Sequence, residues 1–130
     1  MKNLNIDDVK KTLTSEQYNI CFLKGTEPPF SGKYTDNHEA GDYYCVVCEH
    51  ELFSSATKYD SQTGWPAFWD EATDGAVALE KDVSFGMTRT EVLCGNCNAH
   101  LGHVFHDGPQ DKTGLRYCIN SLALKFIPKE

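Results

Sequence analysis

Two different spacings of apolar residues divide this chain, and the change falls near Gly41. Before it, Ile6, Val9 and Leu13 recur at helical spacing, and Tyr18, Cys21 and Phe22 share one face of a second helical stretch. Thr14-Ser15-Glu16-Gln17 predicts where that second helix starts. Thr14 is placed to cap it, Gln17 to reach back, and Leu13 and Tyr18 to close over the cap. Gly25 is the expected stop, and Pro28-Pro29 forbids continuation. Short helical pieces are therefore expected over about the first 25 residues.

From Gly41 onward, Gly and Asp-Gly turn signals separate short β-rich runs. These predict strands at 43–47, 76–79, 83–87, 91–93, 102–105, 115–119 and 121–127. The last run alternates, with Leu122, Leu124 and Phe126 on one face and Ser121, Ala123 and Lys125 on the other. No long helical period interrupts the runs, so parallel βαβ units are not expected. The fold class that follows is mainly β and antiparallel, with a small N-terminal helical segment. Neither a repeat nor a linker divides it, so residues 1–130 read as one domain.

Composition adds exclusions. The chain has 130 residues, 40% hydrophobic and 24% charged, which suits a globular core rather than disorder. No apolar run approaches the roughly 20 residues of a membrane span. The N-terminal Met1-Lys2-Asn3-Leu4-Asn5 leads into charged residues rather than an apolar signal core. A cytoplasmic location without a membrane partner is expected. Net charge is -7, and Arg89 and Arg116 are the two arginines. No basic stripe exists to follow a phosphate backbone, so nucleic acid is not an expected partner.

The six cysteines carry the first chemistry. Cys45-Val46-Val47-Cys48 and Cys94-Gly95-Asn96-Cys97 are two C-x-x-C pairs. Four thiolates in two tight turns suit one tetrahedral zinc with no open position, hence a structural site. The 45 residues between Cys48 and Cys94 mean that such a site joins distant parts of the chain. The competing reading, a redox dithiol, accounts for one pair but not for a matching second.

His100, His103 and His106 lie within seven residues, followed by Asp107. They admit two readings, structural histidines or acid–base groups. In an extended strand His100 and His103 face opposite ways, so a shared site needs a bend, which Gly102 permits. In Leu115-Arg116-Tyr117-Cys118-Ile119-Asn120-Ser121, residues Arg116, Cys118 and Asn120 share one strand face. A guanidinium beside Cys118 favours the thiolate, the nucleophilic form, although an inert core cysteine fits the same run.

Several motifs together resemble the B-type methionine sulfoxide reductases. They are Thr26-Glu27-Pro28-Pro29-Phe30-Ser31-Gly32, Lys58-Tyr59-Asp60-Ser61 and Gly64-Trp65-Pro66-Ala67-Phe68-Trp69, then His100-Leu101-Gly102-His103-Val104-Phe105, Asp107-Gly108-Pro109 and the run around Cys118. The resemblance spans residues 14–127 and includes both C-x-x-C pairs. It implies two antiparallel β-sheets with short N-terminal helices and a structural zinc on Cys45, Cys48, Cys94 and Cys97. It implies that Cys118 attacks the sulfur of a methionine-R-sulfoxide, mainly in peptides and proteins, and that His103 protonates the oxygen. His100 and Asp107 would shape and charge the site, Arg116 would favour the thiolate, and Asn120 would hold a water or His103. Trp65 would pack on the substrate's methyl group.

The product cysteine would be a sulfenic acid, reduced by a second thiol and ultimately by thioredoxin or another thiol reductant. Thr63 stands where many members carry the resolving cysteine. Cys21 or an external thiol must replace it, and the resemblance favours Cys21, since some members use an N-terminal position. A non-catalytic, zinc-anchored β-fold binding module is the rival class. It predicts that Cys118, His103 and Trp65 are dispersed. A thiol–disulfide oxidoreductase is a third reading.

Overall fold

The computed structural model describes residues 11–83, 86 and 88–129. Ile6 and Val9 lie outside them, as do three residues of the strand expected at 83–87. Within that run Val83 has no regular structure and Gly86 sits in a 3-10 turn. No described helix is long and apolar enough to cross a membrane.

Helix α1 spans Ser15–Leu23 and starts as its sequence dictates. Thr14 Oγ1 accepts from the Gln17 amide at 3.1 Å, and Gln17 Oε1 accepts from the Thr14 amide at 2.9 Å. Two amides that a helix start leaves without partners are thereby satisfied. The stop comes one residue before the expected Gly25. Lys24 takes the left-handed conformation at φ 59, and the Gly25 amide donates to Asn19 O at 3.0 Å. Ile20 and Cys21 are the helix's buried residues, and the helix packs on the strand His100–Phe105 and on the 3-10 turn Ser121–Ala123.

The strands form two antiparallel sheets, as expected. The smaller has the order β2-β1-β9, with β1 Gly41–Cys45, β2 Glu51–Ser54 and β9 Leu124–Pro128. The larger has the order β3-β4-β8-β7-β6-β5. Its strands are β3 Lys58–Tyr59, β4 Ala67–Phe68, β5 Val77–Asp82, β6 Arg89–Cys94, β7 His100–Phe105 and β8 Arg116–Ile119. Aromatic rings tie the sheets together. Tyr43 and Phe53 of the smaller meet Phe68 of the larger at ring-centroid distances of 5.1 and 4.4 Å. All three are fully buried, each worth about 1.5–3 kcal/mol by burial alone.

Three expectations change for identifiable reasons. β2 was not foreseen because Leu52 and Phe53 are both buried and do not alternate. The β1–β2 register skips Leu52, pairing Tyr43 with Phe53 and Tyr44 with Glu51. β3 and β4 have two residues each, too few for a period to show. The strand expected over 121–127 begins only at Leu124. Residues 121–123 turn instead, because their polar groups serve the 26–34 loop: the Leu122 amide donates to Glu27 Oε1 and Ser121 Oγ accepts from the Tyr34 amide.

Candidate active site and metal centre

The two C-x-x-C segments fold alike. Cys45 ends β1 and Cys94 ends β6. After each, the chain turns so that the fifth residue's amide returns to the first cysteine's carbonyl: Glu49 to Cys45 at 2.8 Å, Asn98 to Cys94 at 2.9 Å. Both closing residues are left-handed, at φ 63 and 64. The four sulfurs lie within 4.8 Å of one another. Cys45 and Cys97 are 3.7 Å apart, Cys48 and Cys94 3.5 Å. A tetrahedron with 2.3 Å metal–sulfur bonds has edges of about 3.8 Å, so the cage fits one ion. A donor set of four sulfurs suits a soft or borderline metal and not magnesium or calcium. Such an ion ties the smaller sheet, through β1, to the larger, through β6.

A cleft of about 400 Å³ opens elsewhere on the larger sheet, lined by Thr26, Thr63, Trp65, Arg89, Gly102, His103, Phe105, Arg116, Cys118 and Asn120. Arg116, Cys118 and Asn120 thus share it, as the strand alternation requires. Cys118 sits between strands, opposite His103 on one side and Ala67 on the other. Gly102 is needed beside it, because a Cβ there would meet Cys118 O at 2.1 Å. Burial pushes the Cys118 thiol up from its ordinary value, against the Thr63 hydroxyl 3.8 Å away and the Arg116 charge, both of which lower it. The expected effect of Arg116 is therefore present but outweighed.

Arg116 forks onto Asp107, Nε to Oδ1 at 2.8 Å and Nη2 to Oδ2 at 3.1 Å, and its guanidinium lies 4.4 Å over the Phe105 ring. The pairing holds the Asp107 carboxyl below the usual carboxylate range. Asp107 is exposed at the rim and steadies Arg116; it does not line the cleft.

His103 has a different carboxylate. Its Nε2 lies 3.0 Å from Asp82 Oδ2, and Arg89 Nη2 lies 3.3 Å from the same oxygen. The bend that brings His100 to His103 is a register skip at Leu101: Val92 pairs with Gly102, but Leu93 pairs with His100. The rings meet edge to face at 5.6 Å. His100 nevertheless faces another cavity, with Cys21, Lys24 and Glu91. Its Nδ1 donates to Ile20 O at 3.1 Å, leaving Nε2 3.6 Å from Glu91 Oε2. Burial lowers its pKa despite that carboxylate.

Asn120 is buried and bonded to backbone. Its Nδ2 donates to Leu101 O at 2.9 Å, inside the skip, and its Oδ1 accepts from the Glu27 amide at 3.0 Å. The Glu27 carbonyl in turn accepts from Trp65 Nε1 at 2.9 Å. Asn120 therefore couples the histidine segment to the Trp65 wall through the backbone of Leu101 and Glu27. Cys21 is buried, and burial, with Cys94 nearby, pushes its thiol up to about 12. It lines the His100 cavity, whereas Cys118 lines the cleft.

Sequence reasoning missed Asp82, Glu91 and the buried Glu27. A signal for Asp82 was available: it pairs with Arg89 across the β5–β6 hairpin, an acid–base pair flanking a Gly turn. Glu27 and Glu91 look like surface charges in sequence, and only long-range packing buries them.

The SelR domain family matches residues 13–128. A "Peptide methionine sulfoxide reductase MsrB" of Pseudomonas syringae pv. syringae is 53% identical over 124 residues, covering 95% of this chain and 94% of the relative. Its namesake from Leptospira interrogans is 55% identical over 124 residues, with the same coverages of 95% and 94%. That of Burkholderia pseudomallei is 55% identical over 123 residues, 94% of this chain and 85% of the relative. With near-complete coverage at such identity, the chain belongs to the SelR-domain family, the B-type methionine sulfoxide reductases, which are oxidoreductases.

Proposed function

We propose that this protein reduces methionine-R-sulfoxide, mainly in peptides and proteins, with Cys118 as nucleophile. The observation that carries this reading is the convergence of Cys118, His103 and Trp65 on one cleft. A binding module needs no such convergence. The substrate is a polar S=O beside a small methyl group, so its site needs an aromatic wall and a proton donor. Trp65 is the wall, held by its bond to Glu27 O. His103 is the donor, its ring oriented by Asp82.

The buried Cys118 thiol gives up its proton as it attacks, with Thr63 and Arg116 favouring the developing thiolate. The sulfoxide sulfur gains two electrons and its S–O bond breaks, with His103 protonating the oxygen. The bond that the attack forms between Cys118 Sγ and the substrate sulfur then breaks as the hydroxyl passes to Cys118 Sγ, so methionine leaves and Cys118 ends as the sulfenic acid, oxidised by two electrons. A second thiol condenses with it, forming a disulfide and releasing water, and thioredoxin or another thiol reductant then reduces the disulfide. Cys21 is the second thiol in this reading, and it must leave its buried place on the inner face of α1 to act. Zinc in the four-sulfur cage is structural, since four thiolates leave no open coordination position.

Turnover of separated sulfoxide epimers with dithiothreitol tests the reading. The R epimer should be reduced and the S epimer left largely intact. Equal turnover of both, or of neither, would overturn it.

A further inference from the structure

Phe30 is the most exposed of the large hydrophobic side chains described, with 71% of its surface in solvent. Its backbone is left-handed at φ 64, a conformation that a Cβ disfavours. Phe30 is the third residue of a tight turn from Pro28 to Ser31, closed by the Ser31 amide to Pro28 O at 3.3 Å. Glycine is the residue that such a position ordinarily takes. A bulky ring there carries two costs, strained backbone and bare apolar surface. Such outliers gather at sites where a ligand is clamped.

The turn is also fixed to the cleft wall. The Phe30 amide donates to Gly64 O at 2.7 Å. A Cβ on Gly64 would lie 2.6 Å from Pro29 Cβ and 3.0 Å from Phe30 Cδ2, so the turn rests directly on that glycine. Gly64 lies between Thr63 and Trp65, both of which line the cleft. The exposed ring therefore belongs to a turn that rests on the backbone between two cleft-lining residues, one of them the Trp65 that would take the sulfoxide's methyl group.

We infer that Phe30 forms an apolar rim subsite for the side chain flanking a methionine sulfoxide in a polypeptide, so that sulfoxides beside apolar residues are preferred. The inference rests on the reductase reading and adds a substrate preference to it. A free amino acid brings no flanking side chain to the rim, whereas a peptide bound by its sulfoxide does.

The test compares three R-sulfoxide substrates: a capped single residue, a short peptide with leucine on both sides, and the same peptide with glycine on both sides. The parent protein should show a higher kcat/KM on the leucine peptide than on the glycine peptide. Phe30→Gly relieves the backbone strain, so its melting temperature should equal or exceed the parent's. It should lower the leucine-to-glycine preference about fivefold, chiefly through KM, the scale of one aromatic contact. Phe30→Leu should keep most of the preference. A parent that reduces the capped residue but shows no leucine preference overturns the subsite alone. So does a folded Phe30→Gly that keeps the full preference. A parent that reduces none of the three overturns the reductase reading, and the subsite with it.

Discussion

The four-sulfur cage and the cleft are built on opposite plans. In the cage, two segments with the same spacing make the same turn, and every donor atom is alike. In the cleft, each polar group is different and draws its partner from another part of the chain. Asp82 serves His103, Asp107 serves Arg116, and Asn120 reaches both the Leu101 skip and Glu27. A cage holds by repetition, so losing one member disables the whole. A cleft holds by division of labour, so losing one member should remove one step and leave the fold.

A pair of cysteine variants would break that comparison most sharply. Cys118→Ser should abolish reduction of the R epimer while keeping metal and melting temperature. Cys94→Ser should lose the metal and unfold the protein. Zinc binding is worth about 10 kcal/mol or more in small domains, comparable to the entire stability of a domain this size. Metal analysis and thermal melts check both. Reduction by Cys118→Ser, or an unchanged melt for metal-free Cys94→Ser, would collapse the distinction.

Within the cleft, the steps should separate by size. His103→Gln should slow reduction by roughly 10²-fold, the usual weight of positioned acid–base help, with metal retained. Asp82→Asn keeps an acceptor for the ring but removes the carboxylate charge beside it, so its loss should be about tenfold and fall on kcat rather than KM. Equal losses in the two variants would make Asp82 a proton carrier in its own right.

Legibility in the sequence followed the same division. The cage was visible in full, because C-x-x-C places two donors within one turn. So were the start of α1 at Thr14, where cap and partner are three residues apart, and the shared face of Arg116, Cys118 and Asn120. What sequence could not display was pairing across distance. Asp107 is next to the histidines in sequence, yet it is Asp82 that reaches His103 across the sheet. The bend at His100 comes from a register skip at Leu101, and register is a property of two strands at once. Glu27 carried no apolar period, and its burial follows from the turn at 121–123 that its carboxylate helps to hold.

The Cys118 thiol gives a pH test. Burial raises its pKa and Arg116 lowers it, so the reactive thiolate should be the minor form at neutral pH and grow as pH rises. Alkylation of Cys118 by iodoacetamide should therefore accelerate through a midpoint above the ordinary thiol range. Arg116→Met removes a lowering influence, so its midpoint should move further up. A midpoint that moves down would mean that Arg116 acts through Asp107 rather than on the sulfur.

The smallest effect concerns Cys21, where the comparison becomes finest, since this thiol lies near Cys94 of the cage but is proposed to serve the cleft. In place, it is buried, faces the His100 cavity and has its thiol pushed up to about 12. A disulfide with Cys118 needs the two Cα atoms within about 7 Å, and because the two thiols line different cavities the proposed link requires α1 to come away. Opening should then limit the second step, and loosening the helix should speed it. Thr14→Ala removes the cap at a cost of about 1 kcal/mol, which multiplies an open population roughly fivefold. After one equivalent of substrate, the Cys21–Cys118 link should form about fivefold faster in Thr14→Ala than in the parent, and not at all in Cys21→Ser, which should still release its first methionine. Mass spectrometry at timed quenches reads all three. A lasting sulfenic acid on Cys118 in the parent, equally slow to react in Thr14→Ala, would assign the second step to an external thiol and leave Cys21 as a packing residue of α1.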